Sequence, residues 1–441
     1  MNNIIVIGLG AVGLPVAEFL RHECGKNVIG VDKKYDYDGV LIRKEKLNWE
    51  YEKLLVITDD INNTFPVVNS IDELENFKPD AVIVCIGLDI DESKNIVWGP
   101  FIQLIKEIGS VLGEWTTKPL ISIETTVPIG TMRNKVLPIL TEYSGKVAGA
   151  GFFLSFAPER ISIGRQLENM KEYPRLIAGY SCICINKAQE LYSIISNRLE
   201  YSSFEEAEAA KLVENAYRDV NIAFANEVSE ICRDNNIDWR KVRTLVNGLP
   251  NRPELGEYRN PVRNMHFAGT GVGGYCLPKD SYLLTKKKNE EETEAEFCMR
   301  MDDSVIRKAR EYNEYMPERI VKRIKKIIPD PKYVLLLGLS DIPNVSDKRC
   351  VIIDQISDRL TNCIVRWGYD PVYDKEYGKI SYREANTIDV VILVTEHDIF
   401  KKELKPEIFD ELQRNRFICG PLTIHDIFTE DKISEIMREG E

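Results

Sequence analysis

Short apolar runs rich in β-branched residues alternate with helical stretches along the N-terminal part of the chain. In Asn3-Ile4-Ile5-Val6-Ile7 the pattern predicts a buried parallel strand starting at Ile4, and the glycines from Gly8 to Gly13 turn it into a helix expected from about Gly13 to Arg21. Val28–Val31, Ala81–Ile86, Leu120–Glu124, Gly151–Ser155 and Leu176–Gly179 read as further strands, with a helix ending at Leu112 between the second and third of them. Strand and helix in alternation predict an α/β fold built on a doubly wound parallel sheet, ending near residue 198.

The pattern then changes. From Ser203 to about Asn235 the text is nearly continuous helix, with Val213, Ala216, Tyr217, Val220, Phe224, Val228 and Ile231 at three-to-four spacing. About 30 residues at 1.5 Å rise make a rod of ~45 Å, longer than one small domain needs. Such a rod connects domains and pairs with a second copy across a two-fold axis, so a homodimer or higher homo-oligomer through this central helix is expected. Residues 248–282 are rich in Gly, Pro and Asn and read as an ordered functional loop, while the charged block Lys286–Glu296 reads as solvated helix surface. A second α/β unit starts near Tyr333, with strands at Val334–Gly338 and Val390–Val394 and a helix around Cys350–Leu360. The expected division is 1–198, 199–310 and 311–441: two doubly wound domains joined by a long central helix and an all-α dimerisation domain.

A length of 441 residues suits three domains at roughly 150 residues each. Apolar residues at 44% and charged residues at 29% exclude disordered and collagen-like chains. No apolar run approaches the ~20 residues of a membrane span, and the early first strand leaves no room for a cleavable signal. Ten cysteines without metal-ligand spacing or disulfide density read as reduced thiols, hence a cytoplasmic protein without membrane insertion. The net charge of −12 argues against a nucleic-acid partner and requires a dedicated pocket for any anionic ligand. His22, His266, His397 and His425 share no metal-binding spacing, so no metal is expected.

Gly8-x-Gly10-x-x-Gly13 lies between a predicted strand and a predicted helix, where a dinucleotide fingerprint must lie. Gly8 permits the tight turn, Gly10 lets the backbone approach a pyrophosphate, Gly13 allows close helix–strand packing, and Ala11 and Val12 complete the turn. Helix amides there favour phosphate. Asp32 ends the second strand where a carboxylate binds a ribose diol and repels a 2′-phosphate, which favours NAD over NADP, with Lys33 and Lys34 beside it.

Gly269-Thr-Gly-Val-Gly273-Gly274-Tyr275-Cys276-Leu-Pro-Lys279-Asp280 brings a thiol and a carboxylate to the end of a backbone that can approach a ligand closely. A thiol becomes a useful nucleophile when a nearby cation favours its thiolate. Lys211 and Asn215, four apart on the central helix with Arg218 a turn further on, can supply that cation and stabilise an oxyanion. Glu124-Thr125-Thr126-Val-Pro128-Ile-Gly130 and Phe156-Ala-Pro158-Glu159-Arg160 follow strands at the carboxyl end of the sheet, where ligands bind. Glu159 is there either a catalytic acid/base or the salt-bridge partner of Arg160.

Assembled, these residues resemble the UDP-glucose/GDP-mannose dehydrogenase family over essentially the whole chain. The matches are Gly8–Pro15, Thr126 with Pro128, Pro158-Glu159-Arg160 followed by Gly164, Lys211-x-x-x-Asn215, and Gly273-Gly-Tyr-Cys276-x-Pro278-x-Asp280. The resemblance implies two Rossmann-like domains and an NAD-dependent, four-electron oxidation of a nucleotide-sugar C6 alcohol to a carboxylate through a cysteine thiohemiacetal and thioester. It makes Cys276 the nucleophile, has Lys211 and Asn215 stabilise negative charge on oxygen, and makes Asp280 the general base. Glu159 assists thioester hydrolysis, and Thr126 holds water near the nicotinamide. Arg160, Arg263 and Gly273 join Glu159, Lys211 and Asn215 at the substrate, and Arg349 reaches the cofactor.

Glu214–Glu227 looks most like the branch acting on UDP-N-acetylhexosamines, UDP-GlcNAc or UDP-ManNAc, whereas Gly-Gly-Tyr-Cys is also seen in the UDP-glucose branch. A UDP-glucose 6-dehydrogenase and a non-catalytic sugar-nucleotide-binding paralogue are the alternatives. Two segments depart from the family: its Val-Pro-Thr-Pro is Cys85-Ile86-Gly87-Leu88 here, and its Phe-Lys-Pro-Asn-Thr-Asp-Asp is replaced over Ser340–Asp347, without the lysine.

Overall fold

The computed structural model describes the chain apart from residues 34–64, 161–169, 249–263, 288–290, 341, 346–350, 361–362, 364, 372–385 and 440–441. Its packing divides into two units, residues 1–214 with 282–286, and residues 215–281 with 287–441.

The first unit is built on eight strands: β1 (Asn3–Ile7), β2 (Asn27–Val31), β3 (Val67–Val68), β4 (Ala81–Val84), β5 (Leu120–Ile123), β6 (Phe153–Phe156), β7 (Arg175–Gly179) and β8 (Leu199–Ser202), in the order β3-β2-β1-β4-β5-β6-β7-β8. β8 carries the sheet past residue 198. Successive strand residues feed opposite cores. Ile5, Ile7, Val82, Val84, Ile121 and Ile123 pack with Phe101, Ile105, Ile108 and Leu112 of the helix Gly99–Glu114. Ile4, Val6, Ala81, Ile83 and Leu120 face the helices Gly13–Glu18 and Cys182–Tyr192. Both faces are covered, which is why these strands read as uninterrupted apolar runs. All neighbouring pairs are parallel except β6 and β7, which run antiparallel with Phe156 opposite Ala178. The reversal carries the first residue of β7, Arg175, to the carboxyl end of the sheet.

A helix of 31 residues, Phe204–Asp234, follows, and the boundary between the units falls within it. Its buried side carries polar residues beside apolar ones such as Leu212, Ala216, Ala223 and Ala225. Asp219 and Asn226 are fully buried, whereas Tyr217, Phe224 and Ile231, on another face at seven-residue spacing, are 69%, 57% and 56% exposed. The predicted apolar series is therefore split: Ala216 is buried, whereas Tyr217, Phe224 and Ile231 form a stripe left open to solvent by their own chain.

The chain continues through the helices Trp239–Asn247, Leu277–Leu284 (whose last residues, from 282, belong to the first unit), Glu294–Asp302, Val305–Glu314 and Met316–Ile327 to the smaller sheet of the second unit. This sheet has β9 (Tyr333–Leu337), β10 (Val365–Tyr369), β11 (Ile388–Leu393) and β12 (Phe417–Leu422) in the order β10-β9-β11-β12, parallel except for β11 with β12. It repeats the devices of the first sheet without its sequence. Asp80 accepts the N–H groups of Asn2 and Asn3 at the start of β1, and Asp389 accepts those of Lys332 and Tyr333 at the start of β9. After β1, Gly8 has a φ of 88° and the Leu9 N–H donates to Asp32 (2.7 Å); after β9, Gly338 has a φ of 77° and the Leu339 and Ser340 N–H groups donate to Asp370. No described helix is long and apolar enough to cross a membrane.

Candidate active site

In the first unit the chemistry gathers at the carboxyl ends of β1, β2, β4, β5 and β6. A Cβ on Gly13 would lie 1.9 Å from the Gly8 carbonyl oxygen, and one on Gly8 would lie 3.0 Å from the Cys85 carbonyl group, so both positions need glycine for packing. Gly10 differs: a Cβ there meets nothing within 4 Å. This is the open backbone that a pyrophosphate must approach, and Asp32 holds the turn through Leu9. Ala11 and Lys33 are exposed and Val12 is half-buried around it. The turn fits an adenine dinucleotide.

Cys85, where the family pattern has changed, is no empty substitution. Its Sγ lies 3.7 Å from Glu124 Oε2, and burial, reinforced by the Glu124 charge, pushes the thiol well up. The Ile86 carbonyl accepts the Thr125 hydroxyl at 2.8 Å, which ties the altered segment to the turn bearing the half-buried Thr126.

Glu159 is buried, and its cation is Arg175 rather than Arg160. Arg175 bridges Glu159 and, at 2.5 Å, Glu124, while its Nη2 also donates to the Ala157 carbonyl. Arg160 gives Glu159 its backbone N–H (2.6 Å) and sends its guanidinium to Glu214 (3.0 Å). Tyr192 donates to Glu124 at 2.8 Å and is joined to Ser122 and Ser155. Two carboxylates thus share one buried guanidinium, and burial pushes the Glu124 carboxyl up despite Arg175. Sequence reasoning missed Arg175 and Tyr192. A charged residue heading an apolar strand was the available signal for Arg175; nothing marked Tyr192.

In the second unit Cys276 is exposed just before the helix Leu277–Leu284, and its carbonyl accepts the N–H groups of Lys279 and Asp280. Asp280 is fully buried. It accepts the Asn215 side-chain amide at 2.6 Å and the Lys279 ammonium at 2.6 Å. Lys279 also stands over the Tyr275 ring, 4.9 Å from its centre. The structure therefore joins Asn215 to Asp280, adds Lys279 as an unforeseen buried cation, and commits one N–H of Asn215 to a carboxylate. Lys211 is half-buried, one turn before Asn215 on the same helix, within the first unit. Gly273 is half-buried in the loop before Cys276. Ser340 and Asn344, in the altered C-terminal segment, serve the fold: Ser340 bonds Asp370, and the Asn344 N–H donates to His397 Nδ1. Arg263, Arg349, Gly164 and Lys34 lie outside the described residues.

The NAD-binding domain of the UDP-glucose/GDP-mannose dehydrogenase family matches residues 2–196, and the central domain of that family matches residues 205–314. A UDP-N-acetyl-D-mannosamine dehydrogenase of Pyrococcus horikoshii is 29% identical over 456 residues, covering 99% of this chain and 98% of the relative. One of Methanocaldococcus jannaschii is 28% identical over 417 residues, covering 92% and 88%. The solved structure of a UDP-D-ManNAc dehydrogenase from Pyrococcus horikoshii matches with a TM-score of 0.72 at 26% identity, covering 90% of each chain. Agreement on this scale, over both the nucleotide-binding sheet and the central helices, makes the chain a member of the UDP-glucose/GDP-mannose dehydrogenase family and an NAD-dependent nucleotide-sugar dehydrogenase.

Proposed function

We propose that this enzyme oxidises the C6 hydroxymethyl group of a UDP-N-acetylhexosamine, with UDP-N-acetylmannosamine as the first choice, to a carboxylate. The names of the relatives over nearly the full length support the sugar. The observation that carries the chemistry is the Asn215–Asp280–Lys279 cluster, whose buried Asp280 lies one helical turn after an exposed thiol.

The balance is one alcohol, one water and two NAD giving one carboxylate, two NADH and three protons. Gly8, Gly10, Gly13 and Asp32 would hold NAD, which would supply the hydride acceptor for each of the two oxidations. Asp280 takes protons through a bound water, and a carboxylate fixed by an amide and an ammonium is held in orientation for that task. Cys276 Sγ adds to the aldehyde carbon, giving a thiohemiacetal whose oxidation leaves a thioester. The N-terminus of the helix Leu277–Leu284 lies beside that sulfur and favours its anionic form. Lys211 and Asn215 stabilise negative charge on the reacting oxygen. Water completes the cycle by displacing the sulfur, with Glu159 promoting its attack and Thr126 holding it. Arg160, Arg263 and Gly273 serve the sugar nucleotide, residues 311–441 contribute to binding it, and Arg349 serves the cofactor.

The exposed Tyr217, Phe224 and Ile231 support a homodimer formed through the long helix. The deciding experiment supplies a panel of UDP- and GDP-sugars and counts NADH per sugar consumed. Two equivalents with UDP-N-acetylmannosamine are expected. One equivalent, or full turnover by Cys276→Ser, overturns the thioester route.

A further inference from the structure

Around the segment that carries Cys276 lies a second set of buried polar groups, to which the proposed chemistry gives no task. We infer that Asp219 is a positioning residue that sets the geometry of Cys276 and Asp280. The role rests on those two being the reacting groups.

Asp219 is fully buried one turn after Asn215 on the long helix. Its carboxylate accepts three hydrogen bonds: from Arg310 (2.9 Å), from the Asn313 side chain (2.8 Å) and from the Ser281 hydroxyl (3.1 Å). Asn313 also donates to the Asp219 carbonyl (2.9 Å), and its own side-chain oxygen accepts from Asn226 (3.0 Å). Asn226, two turns further along the long helix, accepts the backbone N–H of Gly269 (2.8 Å). One connected network thus holds both ends of the same segment: Gly269, where the glycine loop begins, and Ser281, the residue next to Asp280.

The loop between these anchors is packed at its start and open at its end. Thr270 donates to the Val394 carbonyl, and a Cβ on Gly271 would lie 2.9 Å from Ile352 Cδ1 and 3.4 Å from the Asn313 carbonyl oxygen. At Gly274 a Cβ would meet nothing within 4 Å. A glycine-rich loop has few side chains to lock by packing, so directional hydrogen bonds must fix its register. Burying Arg310 and Asp219 is a costly way to join two helices and gains little over apolar packing. Its return is orientation: the helix Val305–Glu314, the long helix and the nucleophile's helix meet at one carboxylate.

The test uses the full-length enzyme with NAD and compares wild type, Ser281→Ala and Asp219→Asn. Two quantities are read: the split between kcat and KM, and the rate at which iodoacetamide alkylates Cys276, followed on its own peptide by mass spectrometry. Ser281→Ala is expected to fold, to lower kcat about tenfold with KM within about twofold, and to change Cys276 alkylation at least threefold. The exposed Cys182 should alkylate at the wild-type rate. Wild-type kcat together with wild-type Cys276 alkylation in Ser281→Ala overturns the role, even if Asp219→Asn fails to fold. Alkylation reports loop geometry whether or not the thiol is catalytic, so failure of the thioester route, shown by an active Cys276→Ser, is a separate result.

Discussion

Tyr217 and Asp219 stand two residues apart on the long helix, the phenol largely in solvent and the carboxylate fully buried. A helix that meets water with its aromatic side and its own chain with its carboxylate is arranged for two neighbours. The polar side holds the segment that carries Cys276; on the proposed reading the apolar side receives a second copy.

Phe224→Arg should therefore convert a dimer to a monomer in light scattering at micromolar concentration. Burying a side chain of this size contributes about 1.5–3 kcal/mol, and each would be buried twice across a two-fold axis. A wild-type enzyme that is already monomeric excludes this interface.

The three glycines of the nucleotide turn should fail differently. Gly10→Val has room in the fold, so its melting temperature should match wild type while NAD affinity, measured by calorimetry, falls at least tenfold. Gly13→Ala places a methyl against the Gly8 carbonyl oxygen and should lose stability as well as NAD binding. Equal melting temperatures for the two variants would contradict the packing described.

Arg175→Met leaves Glu124 and Glu159 buried without their cation. Removing one partner from such a group costs about 3–5 kcal/mol, to be read by urea unfolding. Adding Glu124→Gln to Arg175→Met should recover part of the loss, because one of the stranded charges is then gone.

Glu208 is fully buried and accepts the N–H groups of Gly130 (2.5 Å) and Met132 (2.7 Å). Burial outweighs those bonds and pushes its carboxyl up to about 7. Between the ordinary glutamate range and that value the folded state holds a proton that the unfolded state has released. Glu208 therefore makes stability fall as the pH rises through this window. In wild type the urea midpoint should decline from pH 5 to pH 7; in Glu208→Gln this part of the slope should vanish.

Much of the candidate site was legible as spacing along the chain. Gly8, Gly10 and Gly13 with Asp32 depend on one strand–turn–helix and the end of the next strand, and Asn215, Cys276 and Asp280 sit in patterns a few residues long. Local sequence contains that information because turns, helix faces and strand periodicity are set by near neighbours. Arg175 was out of reach for the opposite reason. It meets Glu159 because β7 runs against β6, and the direction of a strand is not written in its alternation.

The same distinction separates the two readings of the long helix. Its length and apolar spacing follow from the residues alone, and so does the existence of two unlike faces. Which face turns inward depends on what the rest of the chain brings to it, here Arg310, Asn313 and Ser281 from segments many turns distant in sequence. Buried polar groups need partners, and partners that far apart are assembled by folding, not by neighbouring residues.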